Sequence, residues 1–119
     1  MRYEGREPEL LLYIQVSIAR IERYRAGGRV VFLAETMVQD AILWRLQTLA
    51  DAASHLSTEL KARHPEIRWR AIYGFRNVAA HGNVELDLDR VWEVTEVHLP
   101  PLRNVVDEEI RRGGLQGQP

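Results

Sequence analysis

The sequence predicts an all-α domain, an up-down bundle of four to five helices, and three observations carry that prediction. Apolar residues recur at three- and four-residue steps through every long segment. No stretch alternates with the period of two that a half-buried strand requires. The pattern is interrupted at Gly27-Gly28, His64-Pro65 and Pro100-Pro101, the residue types that stop or start helices.

The totals fit one domain spanning 1–119, with residues 1–6 as a loose lead-in and 113–119 as a flexible tail. Hydrophobic residues make up 45% and charged residues 28%, ordinary globular values that argue against disorder or a coiled-coil rod. There is no cysteine, which excludes a disulfide framework and thiolate chemistry and fits a reducing compartment. No apolar run reaches the roughly 20 residues needed to cross a bilayer, and the first residues lack an apolar signal core, so a cytoplasmic protein without membrane contact is expected. Neither cofactor nor metal is predicted.

The first helix opens at Pro8, suited to a first turn, and carries Leu11, Ile14, Ile18 and Ile21 on one stripe until Gly27-Gly28 ends it. The second reads as one long helix from Arg29 or Val30 to Ala62. Its stripe is Val38, Ile42, Leu46, Leu49, Ala53, Leu56 and Leu60, close to a heptad seam. Leu43, Trp44 and Ala50 widen that stripe, which suits either a helix central to its own bundle or one that also meets a second subunit. His55 and His64 read as surface or capping residues near its end.

A third helix is expected over 66–80, with Trp69, Ile72, Phe75 and Ala79 inward. A loop covers 82–86, and Asp87 or Asp89 can cap a fourth helix bearing Leu88, Val91, Trp92, Thr95 and His98 on one side. Pro100-Pro101 either kinks this helix or starts a fifth, whose apolar face is Leu102, Val105, Val106 and Ile110. There is no internal repeat and no phosphate-binding glycine loop.

Chemistry concentrates between Trp69 and Gly82. Arg76 keeps its charge and presents a planar fork of donors suited to phosphate, while His81 titrates near neutral pH. Together they are the parts needed to cleave a phosphodiester without a metal. The bland alternatives are a surface salt bridge for Arg76 and a helix-end histidine for His81. Net charge is −1, but the segment from Lys61 to His81 holds five Lys/Arg against one acid and is therefore +4. Such a patch can hold a phosphate backbone, and Arg68 and Arg70 are its candidate phosphate contacts; a solvated helix face is the other reading.

The order Trp69, Arg76-Asn77, His81-Gly82 resembles the HepT-like branch of the HEPN superfamily, small helical ribonucleases that act as toxins beside a minimal nucleotidyltransferase antitoxin. Gln39-Asp40-Ala41, Asp51-Ala52, Val91-Trp92 and Leu99-Pro100 extend the likeness over roughly residues 10 to 110. The resemblance implies metal-independent cleavage of RNA to a 2′,3′-cyclic phosphate and a 5′-hydroxyl. Arg76 would be the phosphate clamp and His81 the general base or acid. Asn77 would hold the histidine or a phosphate oxygen, and Asp51 would orient Arg76; Tyr73 could stack on a base, as could Trp69, for which core packing is the plainer role.

Arg76 and His81 are five apart, which on an ideal helix separates them by roughly 140° and 7.5 Å of rise. They can meet if the helix unwinds at His81, if the long arginine reaches around, or, as the resemblance implies, in a composite cleft at the two-fold interface of a homodimer, which can assemble further. In one respect the sequence departs from the family. The tyrosine two residues after the histidine, which the antitoxin silences by transferring AMP to it, is replaced by Asn83. The rival to the enzyme is therefore a non-catalytic module of the same fold that binds a nucleotidyltransferase or a nucleotide.

Overall fold

The computed structural model describes residues 6–77 and 87–113. Among these there is no strand, and the helices run α1 (Glu7–Tyr24), α2 (Gly28–Ala34), α3 (Thr36–Ser54), α4 (Thr58–Ala62), α5 (Trp69–Gly74), a 3₁₀ turn (Phe75–Asn77), α6 (Leu88–Val97) and α7 (Leu99–Arg112). The all-helical class expected from the sequence is the one observed.

The core follows from the apolar stripes. Leu10, Ile14, Ile18 and Ile21 of α1 are fully enclosed, and α1 packs against both α3 and α7. From α3 the stripe supplies Ile42, Leu46, Leu49 and Ala53, and from α7 it supplies Leu102, Val106 and Ile110. Burying a leucine or isoleucine side chain stabilises by about 1.5–3 kcal/mol. Three long helices with apolar faces turned on one another therefore carry most of the fold.

The expected long second helix is instead three helices, because side-chain hydrogen bonds compete with its continuation. At the first break Glu35 is extended, with φ −110° and ψ 108°. The Gln39 amide donates to the carbonyls of Phe32 (2.9 Å) and Leu33 (3.2 Å), satisfying acceptors that the end of α2 exposes. The turn lets Phe32 bury itself against Trp92 of α6, with ring centroids 5.4 Å apart. At the second break Ser57 caps α4, its hydroxyl accepting from the Leu60 amide at 3.1 Å. The Ser57 amide in turn donates to the Glu7 carboxylate at 2.6 Å. Helical periodicity alone cannot reveal a partner fifty residues away.

Other boundaries also differ from expectation. α1 stops at Tyr24, short of the glycine pair, and Gly28 opens α2 with φ +91°, a conformation that favours glycine. The third helix begins at Trp69 rather than Glu66, because the chain leaves α4 through hydrogen-bonded turns at His64 and Ile67. It tightens into the 3₁₀ turn after Gly74, and Ala79 lies outside the described residues. Of its expected inward face, Ile72 and Phe75 are buried and Trp69 is half-buried. Asp87 does cap α6, accepting from the Arg90 amide at 3.1 Å. Pro100-Pro101 starts a separate helix: both prolines fall in the first turn of α7, where backbone amides have no intrahelical acceptor.

Candidate functional site

α5 and the turn after it carry the proposed chemistry, and both pack against α3. Ile72 is 1% exposed and Phe75 4%, so two side chains one helical step apart fix the turn to the core. Arg76, the next residue, is exposed. No described carboxylate is ion-paired with it, in contrast to Arg25, Arg29, Arg63 and Arg103, each of which holds an acid. Lys61 of α4 lies 4.9 Å over the ring of half-buried Tyr73, adding a second cation close to the start of the turn.

The remaining expected site residues are dispersed. Asp51 is half-buried on α3, and its carbonyl accepts from the Ser54 hydroxyl at 2.6 Å. No hydrogen bond or ion pair joins it to Arg76 among the described residues, so the expected orienting contact is not formed here. Arg70 is exposed. Asn77 closes the 3₁₀ turn, while His81 and Asn83 lie outside the described residues. Trp69 spends its indole N–H on the His64 carbonyl at 3.1 Å, which matches the packing role rather than stacking on a base.

His64 is the clearest correction. It is 5% exposed and its Nε2 lies 2.5 Å from Glu109 of α7, itself 5% exposed. A carboxylate oxygen only accepts, so Nε2 carries the proton. Arg63 donates to the same carboxylate through Nε (3.2 Å) and a terminal nitrogen (2.8 Å). These hydrogen bonds, Arg63's first, hold the Glu109 carboxyl below its ordinary range against the opposing effect of burial. The cluster ties the segment leading into α5 to the C-terminal half of α7. Nothing in the sequence around His64 marks it as internal, because its partner is forty-five residues away.

Beside α5 lies a hollow of about 390 Å³ that sequence reasoning missed. Ile67, Ile72 and Val94 line it, with Arg68, Arg90 and His98 also on its walls. The His98 ring meets Phe75 edge-on, centroids 5.9 Å apart, so the hollow adjoins the turn that carries Arg76. The sequence marks Arg68 as a phosphate contact but does not mark Arg90 or His98, whose distance along the chain gives no signal of the meeting. Among the described residues no three His, Asp or Glu side chains gather as a metal would require.

The family described as "Ribonuclease HepT-like" matches residues 14–109, and the chain belongs to that family. A protein of Thermococcus cleftensis named "Probable ribonuclease HepT" is 26% identical over 72 residues, 60% of this chain and 66% of the relative. "Putative RNase MJ1380" of Methanocaldococcus jannaschii is 20% identical over 76 residues, 64% of this chain and 70% of the relative. "Putative RNase TTE0752" of Caldanaerobacter subterraneus is 23% identical over 92 residues, 77% of this chain and 82% of the relative. No solved structure matches.

Proposed function

We propose that this chain is the toxin of a toxin-antitoxin pair, a metal-independent endoribonuclease whose site joins Arg76 and His81 across a homodimer. The observation that carries the reading is Arg76 itself: an exposed guanidinium with no ion-paired acid among the described residues, on a turn whose neighbours, Ile72 and Phe75, are locked in the core. A cation beside a packed, low-dielectric surface acts more strongly on the charge that builds on phosphorus in the transition state. His81 takes the proton from the ribose 2′-hydroxyl or returns one to the leaving 5′-oxygen, giving a 2′,3′-cyclic phosphate and a 5′-hydroxyl. Asn77 is a supporting residue in this scheme, Asp51 supports it only if the second subunit brings its carboxylate to Arg76, and the antitoxin is a nucleotidyltransferase-type protein.

The test is RNA cleavage by purified protein in EDTA. Arg76→Ala and His81→Ala should each lower the rate by about 10²–10³-fold, as loss of one charge-stabilising donor or one general base does elsewhere. Cleavage that survives both substitutions would overturn the assignment. A second reading draws on Asn83, which lacks the hydroxyl that the family's tyrosine offers for modification. On that reading the chain binds its partner or a nucleotide without cutting, and the parent protein leaves RNA intact.

A further inference from the structure

We infer that the hollow between α5, α6 and the start of α7 is a nucleotide subsite, receiving the residue of an RNA strand next to the phosphate held by Arg76. This rests on the ribonuclease reading for the choice of RNA as the occupant. Four observations lead to it.

The first is size and lining. At about 390 Å³ the hollow falls within the roughly 300–1,000 Å³ typical of small-molecule sites. Above a buried floor of Ile67 and Ile72, half-buried Val94 and exposed Val97 offer an apolar surface to a base.

The second is charge. Arg68 and Arg90 come from different elements yet border the same hollow, and neither is ion-paired among the described residues. Of the two acids on its walls, exposed Glu66 has a carboxylate oxygen 3.5 Å from His64 Nδ1. The other, Glu93, repels a bare phosphate but accepts hydrogen bonds from the amino groups of a base. The combination suits a whole nucleotide better than a free anion.

The third is position. Ile72 on the floor sits four residues before Arg76, across the change from α5 to the 3₁₀ turn, and the His98 ring on the wall meets Phe75, the residue before Arg76. A strand whose phosphate is clamped by Arg76 passes the mouth of the hollow. The fourth is the boundary. Of the acids bordering the adjoining hollow beyond Arg90, Asp89 and Glu96 are paired with Arg29 and Arg25, which leaves Asp87 and Glu93 to disfavour a phosphate on that side.

Binding of a labelled single-stranded oligoribonucleotide to the His81→Ala protein separates this subsite from catalysis. Adding Arg68→Ala and Arg90→Ala should weaken binding by about ten- to a hundredfold, and the slope of log affinity against log salt should become shallower by about 0.7 for each phosphate left without its cation. The control pair Arg111→Ala with Arg112→Ala, exposed at the far end of α7, should change binding by less than about twofold, since it lies away from the strand's path. Unaltered binding in the first pair overturns the inference. So does an equal loss in the control, which would mean diffuse attraction. Failure of the parent protein to cut RNA, with binding still dependent on Arg68 and Arg90, would sink only the catalytic reading.

Discussion

Glu109 shows how much one side chain can hold. Its carboxylate sits almost out of water and answers two donors at once, Arg63 and His64, on the segment that leads into α5. Removing it leaves His64 buried without its partner, so Glu109→Ala should cost about 3–5 kcal/mol, read as a lower urea midpoint. The pH dependence follows from the lowered carboxyl. Below the ordinary value of 4.5 the unfolded chain takes up a proton that the folded chain still refuses, so stability falls with pH there. The contribution is complete above that value and is lost as pH drops through the folded one. Glu109→Gln should therefore flatten the fall in stability below pH 4.5 while leaving the neutral-pH helical signal intact. A variant as acid-sensitive as the parent would show that other carboxylates dominate.

At the scale of elements, the short helices depend on their caps. α4 has five residues, too few to persist alone, and Ser57 supplies both its cap and, through its amide, the tie to Glu7 at the start of α1. Ser57→Ala should destabilise by about 1 kcal/mol. Because α4 also carries Lys61, which lies over Tyr73, the loss should appear as faster amide exchange across both α4 and α5. Asp87→Ala at the cap of α6 should cost a similar amount but confine its exchange effect to α6, since its bond to the Arg90 amide stays within that helix. The cap of α6 is readable because acid and helix are adjacent in sequence. Neither break in the second helix is, because Gln39 and Ser57 sit within an unbroken apolar period and act through hydrogen bonds that the period does not encode.

Across the whole molecule, α3 is central, packing against α1, α2, α5 and the turn at Arg76, yet it still exposes Met37 (83%) and Trp44 (60%). The two are seven residues apart on one helix face, the surface a second copy would cover in the proposed homodimer. Trp44→Arg should then lower the mass measured by sedimentation from dimer to monomer, and cleavage should fall with it; a dimer that persists would place the two-fold elsewhere. The widened apolar stripe points to that surface only through Trp44, since Leu43 and Ala50 are enclosed within the chain's own core. What the sequence by itself determined is the helical class, the apolar faces and the cationic stretch around Arg76, because periodicity, proline and glycine placement and fixed charge are local properties. Only the tertiary structure decided that His64 is internal, that the second helix is broken twice, and that Arg68, Arg90 and His98 share one hollow. The buried histidine and the shared hollow depend on partners tens of residues away, and the helix breaks on side-chain hydrogen bonds; neither has any expression in the apolar period along the chain.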